Sequence, residues 1–204
     1  MLNFERRAKK DGYTVIVGID EAGRGPLAGP VVAAAVSLNT FSFKNRIDDS
    51  KKLSSDQRER AFAEIRTKAV FGVGVISEKV IDRVNVTRAA NLAVDTAVGR
   101  LMFRLREQGA DLEKAFLLMD GRLKSSLAYP FKEIIGGDGK SLSIAAASIV
   151  AKVVRDRLMR AYDRLYPQYG FSKHKGYGTL DHRACLTRLG LSPIHRRTFC
   201  ADRA

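Results

Sequence analysis

The stretch Thr14-Val-Ile-Val-Gly-Ile-Asp20 limits the fold more than any other, because it is short and almost continuously apolar. A strand with one face in water would alternate apolar and polar side chains. This run therefore predicts a strand covered on both faces, and with it a sheet carrying helices on either side. The rest of the chain supplies both kinds of element. Pro30–Ser37 (PVVAAAVS) reads as a second strand, with proline where a strand can begin. Val70–Ile76 alternates with glycine and reads as a third; Ala115–Met119 and Phe131–Ile135 read as the fourth and fifth. Ser54 with Gln57 three residues on predicts a capping box, opening a helix with Phe62, Ile65 and Ala69 on one face. Asn85–Gln108 repeats Ala90, Ala93, Val94, Ala97, Leu101 and Leu105 at helical spacing and stops at Gly109. Ser141 opens a long helix to about Leu165, before Pro167. A basic loop with glycine and tyrosine covers Tyr169–Thr179, and a last helix, Leu180–Leu189, stops at Gly190. The order β, β, helix, β, helix, β, β, helix, helix predicts an α/β fold with a mixed sheet and a helical C-terminal part from about residue 166. With 204 residues and no linker-like stretch, one domain over residues 1–204 is expected.

Composition narrows the function. Lysine and arginine total 36 against 22 acidic residues, a formal net charge of +14. That excess favours a polyanionic partner, nucleic acid or an anionic membrane surface. No apolar run reaches the length of a membrane span. Met1–Lys10 is charged and lacks the apolar core of a signal peptide. Cys185 and Cys200 are too far apart for a CxxC pair and suit a reducing compartment, as ordinary core or surface thiols. His174, His182 and His195 have no zinc-ligand spacing with them.

Against this basic background, carboxylates recur where strands end. Asp20-Glu21 closes the first strand, Asp120 the fourth, and Asp138 follows the fifth. Ligand sites of open α/β sheets lie outside the carboxyl ends of strands. Carboxylates gathered there repel one another unless a cation sits among them, and hard divalent ions such as magnesium or manganese take such oxygen ligands. Taken singly, each also suits an acidic turn, as in Asp120-Gly121 and Asp138-Gly139. Adjacent strand residues point to opposite faces, so Asp20 and Glu21 can share a metal only if the strand loses regularity there. Ala22-Gly23-Arg24-Gly25-Pro26 is expected to break it at that point.

Gly23-Arg24-Gly25 offers backbone N–H groups beside a fixed cation, suited to phosphate or sugar hydroxyls, or is a plain glycine turn. Asp138-Gly139-Lys140-Ser141 imitates part of a P-loop, but the glycine required five residues before Gly139 is Ile134, which argues against an NTPase. Asp49-Ser50-Lys51-Lys52, the Lys173–Gly178 loop with Tyr177, and Lys152, Arg155 and Arg157 on the long helix are candidates for phosphate contact and base or sugar stacking. His195-Arg196-Arg197 either adds to the basic surface or forms a solvated tail. These observations leave two classes open: a metal-dependent enzyme acting on nucleic acid, and a non-enzymatic nucleic-acid-binding protein with a structural metal.

In combination the segments resemble a known family. Gly18-Ile-Asp20-Glu21-Ala-Gly23-Arg24-Gly25-Pro-Leu-Ala-Gly-Pro30 is similar to the opening motif of bacterial ribonuclease HII. Asp49–Leu53, Met119–Gly121, Gly137-Asp138, Ala146–Lys152, His174–Thr179 and Ser192–Arg196 match that family in order, from about Val15 to Phe199. The resemblance implies a ribonuclease H-like five-stranded mixed sheet flanked by helices. It implies an endonuclease that cuts the RNA strand of RNA–DNA hybrids and incises 5′ of a lone ribonucleotide in duplex DNA, the entry step of ribonucleotide excision repair. It implies two divalent ions, Mn2+ or Mg2+, that activate water for in-line attack and leave 3′-hydroxyl and 5′-phosphate ends. Asp20, Glu21, Asp120 and Asp138 fall on its four catalytic, metal-holding carboxylates, with Asp20 and Asp120 as the expected bridging pair. Gly23, Arg24 and Gly25 fall on the loop that senses the ribonucleotide 2′-hydroxyl, and Tyr177 on the tyrosine that stacks on the neighbouring sugar. Ser50, Lys51 and Lys152 are the expected further substrate contacts. Arg24 separates the chain from type III relatives, which resemble GKG there and carry an extra N-terminal domain. The dozen residues before the first strand leave no room for one. A cytoplasmic monomer is expected, off the membrane and without a sliding-clamp motif.

Overall fold

The computed structural model describes residues 1–121 and 123–200. Its frame is a five-stranded sheet in the order β3-β2-β1-β4-β5, formed by β1 (Val15–Ala22), β2 (Val31–Leu38), β3 (Ala69–Ile76), β4 (Ala115–Asp120) and β5 (Phe131–Ile134). β2 pairs antiparallel with β1 and β3; β4 pairs parallel with β1 and β5. β1 is central and buried along its first six residues, as its unbroken apolar run requires.

Side-chain alternation divides two cores. Val15, Val17 and Ile19 of β1, Val31, Ala33 and Ala35 of β2, and Leu117 and Met119 of β4 join a cluster under helix α4 (Val86–Glu107). Ala34 and Val36 face the other way, toward helices α2 (Ser55–Lys68) and α5 (Leu142–Leu165). Two close approaches explain glycines inside strands. A Cβ on Gly74 would lie 1.9 Å from the Ala93 carbonyl oxygen of α4, and one on Gly18 would lie 2.0 Å from the Ser143 backbone of α5. Either substitution would push a helix off the sheet.

The α2 capping box forms as expected, with Ser54 and Gln57 bonding reciprocally. Ala69, expected on that helix, instead begins β3. Four short helices have no counterpart in the sequence reading: α1 (Asn3–Lys10), α3 (Glu78–Val84), α6 (Phe171–His174) and α8 (Arg197–Cys200). α1 is charged overall, yet it docks Phe4 and Ala8 against Ile16, Leu118, Ile134 and Ile144. The expected last helix is α7 (Leu180–Leu189). No helix among the described residues is long and apolar enough to cross a membrane.

Candidate active site at the strand ends

Parallel pairing of β1 with β4 delivers Asp20 and Asp120 to the same end of the sheet. Both share the side-chain phase of Ile16 and Leu118, which face Ile144 of α5. After β5 the chain turns at Gly136, in the left-handed region at φ 64°, into a short 3-10 turn, Gly137–Gly139, that carries Asp138. The Gly137 amide donates to Asp120 Oδ1 at 2.6 Å, tying that turn to β4. Carboxylate oxygens of Asp20, Asp120 and Asp138 lie within 4.8 Å of one another. Asp20 and Asp138 are buried, at 4% and 7% exposure.

Burial, then the charges of Glu21 and Asp120, push the Asp20 carboxyl well above the usual carboxylate range; the Ser148 hydroxyl and the Glu21 amide pull it down. Asp120 is raised chiefly by burial, with the Asp138 charge adding to it against the Gly137 amide. Among the described residues, these carboxylates are crowded beyond what neighbouring cations neutralise. The ammonium of Lys51, on a largely exposed side chain, pairs with the cluster at 3.4 Å from Asp138 Oδ2. An all-oxygen donor set of this spacing fits a hard divalent ion.

Glu21 differs from the three aspartates. β1 stays regularly paired through Ala22, opposite Val32, and breaks at Gly23, inside the Ala22–Pro26 segment expected to break it; Asp20 and Glu21 themselves remain in the regular strand. Glu21 lies outside the three-aspartate cluster, although its carboxyl still bonds to that of Asp20 and feels the Asp120 charge. Its carboxyl is raised, mainly by burial, and faces Arg24 at 3.5 Å.

The glycine loop is built from behind. Gly23 has φ +98°, and a Cβ there would lie 2.1 Å from Arg155 Nε. Arg196 donates to the carbonyls of Gly23 (2.6 Å), Arg24 (2.9 Å) and Gly29 (2.8 Å). Arg155 donates to Pro30, Ala28 and Lys175 carbonyls, and its guanidinium lies 5.8 Å from the centre of the Tyr177 ring. Both arginines are fully buried. This corrects the expectation of a basic surface or solvated tail at His195-Arg196, and of a phosphate contact at Arg155: their charges are turned inward to hold carbonyls. Burial lowers both pKa values, that of Arg196 to about 10. Arg157 pairs with Glu59 on the exposed surface. One sequence signal marks Arg155, since Ala151, Arg155 and Met159 form a single buried i, i+4, i+8 stripe on α5. Nothing comparable marks Arg196.

The remaining candidates divide. Tyr177 is half-exposed beside the same loop. Gly25 is exposed, and a Cβ there would meet nothing within 4 Å, so the protein itself does not require that glycine. Ser50 is buried, its hydroxyl 2.9 Å from that of Ser148, and Arg58 holds its carbonyl. Lys152 pairs with Asp156 at 2.8 Å.

A central antiparallel-to-parallel sheet with this acidic end defines a ribonuclease H-like protein. The family profile of ribonuclease HII matches residues 17–202. A ribonuclease HII of Ruminiclostridium cellulolyticum is 51% identical over 200 residues, covering 98% of this chain and 75% of that protein. Among solved structures, ribonuclease HII of Archaeoglobus fulgidus, determined in complex with PCNA, has a TM-score of 0.68 at 25% identity, over 90% of this chain and 94% of that one. Bst-ribonuclease HIII in complex with Mn2+ shares the fold, with a TM-score of 0.63 at 20% identity over 90% of this chain and 65% of that one. The chain belongs to the ribonuclease HII family and is an endoribonuclease of the ribonuclease H type. That sets aside the non-enzymatic reading.

Proposed function

We propose that the chain, acting as one catalytic domain and as a cytoplasmic monomer, cuts the RNA strand of RNA–DNA hybrids and incises 5′ of single ribonucleotides embedded in duplex DNA. The proposed products are a 3′-hydroxyl and a 5′-phosphate. The observation that carries the reading is the three-aspartate cluster at the ends of two adjacent parallel strands and the turn after the third. Asp20, Asp120 and Asp138, with Glu21 beside them, would hold two divalent ions, Mg2+ or Mn2+; a fold neighbour was solved with Mn2+. When bound, such ions supply an acidified water and charge stabilisation at the phosphate.

The chain's own groups do the rest. Arg196 holds the carbonyls of residues 23 and 24 inward, which leaves the other side of the glycine loop for a ribose 2′-hydroxyl. Gly25 keeps that approach open, because a side chain there would stand in the space a sugar needs. A site that hydrogen-bonds a hydroxyl rejects its absence, since its own polar groups are then left unpaired. The Tyr177 ring, steadied by Arg155, stacks on the neighbouring deoxyribose. Lys51 contacts phosphate at the mouth of the acidic cluster. Ser50 and Lys152 support that edge from beneath, through Ser148 and Asp156.

The test is a labelled duplex containing one ribonucleotide, incubated with and without Mg2+ or Mn2+. Metal-dependent nicking on the 5′ side of the ribonucleotide is expected, with an all-DNA duplex left intact. Cutting that survives metal removal, or that ignores the ribonucleotide, would overturn the reading.

A further inference from the structure

Three histidines that are scattered in sequence meet behind Tyr177. The His174 and His182 rings stack at 4.1 Å, and His182 lies 5.1 Å from His195. His182 and His195 are buried. Their hydrogen bonds admit one set of tautomers. The Ser192 amide donates to His195 Nδ1 at 2.9 Å, so that nitrogen carries no proton and Nε2 does. His195 Nε2–H then donates to His182 Nε2 at 2.9 Å. His182 must carry its proton on Nδ1, which donates to the Tyr177 carbonyl at 2.9 Å. His174 accepts the Gly176 amide on Nδ1 at 3.1 Å and faces the Tyr169 carbonyl through Nε2. The backbone on both sides of Tyr177 is thus fastened by imidazoles.

The far end of this relay reaches the glycine loop. His195 bridges to Ala28, the Gly29 amide donates to the Ile194 carbonyl, and Arg196 holds the carbonyls of residues 23 and 24. A plain apolar core would anchor the loop without directional bonds. This chain of donors has a fixed direction and ends on the residue whose ring faces the solvent.

We propose that His182, oriented by His195, is a positioning residue: it fixes Tyr177 relative to the glycine loop and so sets how well the enzyme discriminates an RNA-to-DNA junction from continuous hybrid. This rests on the reading of Tyr177 given above. Burial lowers both imidazole pKa values, that of His195 to about 4, consistent with a relay of neutral rings.

Asparagine can replace the Nδ1 donor of histidine, whereas glutamine replaces Nε2. His182→Gln should lower kcat/KM on a single-ribonucleotide duplex roughly tenfold, the scale of one lost buried hydrogen bond, and on continuous hybrid by no more than about twofold. His182→Asn should retain junction cutting. Adding His182→Gln to Tyr177→Ala should cost nothing further on the junction substrate. Equal losses for both His182 variants on both substrates would mean a merely structural histidine and overturn the proposal. So would unchanged junction cutting in His182→Gln while Tyr177→Ala impairs it. If Tyr177→Ala itself leaves junction cutting intact, the Tyr177 reading fails first, and this proposal with it. The unsubstituted protein offers a check independent of variant folding. Imidazole 15N NMR at neutral pH should show the Nδ1–H tautomer at His182 and Nε2–H at His195; the reverse pair, or a protonated ring, overturns the relay.

Discussion

Two groups of charge of opposite sign are enclosed by the fold, and the protein treats them differently. Asp20, Asp120 and Asp138 are crowded together with few internal donors, and burial and mutual repulsion raise Asp20 and Asp120. Arg155 and Arg196 are just as deeply buried, and among the described residues neither forms an ion pair. Their guanidinium donors instead meet carbonyls of Gly23, Arg24, Ala28, Gly29, Pro30 and Lys175. Guanidinium suits this use: it is planar, stays charged, and offers five donors in a fixed fork. The basic group is therefore complete within the chain, while the acidic group, which among the described residues meets only the exposed Lys51, would be completed by a cation from outside. An unfinished charge marks a ligand site, and a finished one marks scaffolding.

The largest expected effect tests the unfinished side. Asp120→Asn should reduce metal-dependent cleavage roughly a thousandfold. The same change should raise the melting temperature of the metal-free protein by a few degrees, because it removes one of the repelling charges. Loss of activity together with lower metal-free stability would mean that the cluster is internally compensated and break the contrast. Next in size is Arg196→Met. Removing the fork strands the buried carbonyls of Gly23 and Gly29, at roughly 1–3 kcal/mol each, and the part-buried one of Arg24 at less, so a total loss of about 4 kcal/mol in chemical denaturation is expected. Arg196→Lys should recover only part of it, since one ammonium cannot span three carbonyls.

The same contrast explains what is legible in the sequence. All five strands and helices α2, α4, α5 and α7 are readable, because long runs with period 2 or 3.6 average over local accidents. The short helices α1, α3, α6 and α8 contain at most eight residues, and α1 earns its place through Phe4 and Ala8 alone. Asp20, Asp120 and Asp138 are legible because acidic residues at strand ends contradict a basic composition. Arg196 is not, because an arginine in a chain of 36 basic residues looks like surface until the fold encloses it, and Arg155 is marked only by its place on the Ala151–Met159 stripe. The histidines fail for another reason. Their spacing fits no metal motif, and only the return of residues 192–196 beside residues 27–29 brings them together. Glu21 shows the limit of motif reasoning: it adjoins Asp20 and its carboxyl meets that of Asp20, yet it lies outside the cluster that the three aspartates form.

The smallest expected effect separates the two groups by pH. His195 titrates near 4 in the folded chain, against about 6.5 when unfolded. Between those values the unfolded state binds the extra proton, so the histidine contribution to stability is complete above about pH 6.5 and declines as pH falls toward 4. The shift sets an upper bound of about 3 kcal/mol on that loss. The raised carboxyls of Asp20 and Asp120 act with opposite sign in metal-free protein: the native state binds protons there first, so acid relieves their repulsion. Denaturant midpoints measured without metal at pH 7.5, 6 and 5 should therefore fall less steeply than the histidine alone requires. Asp120→Asn should steepen that fall by removing the opposing contribution, and His195→Phe should flatten it. If neither variant changes the slope, the pH dependence arises elsewhere, and the two buried groups do not differ in the way their hydrogen bonds imply.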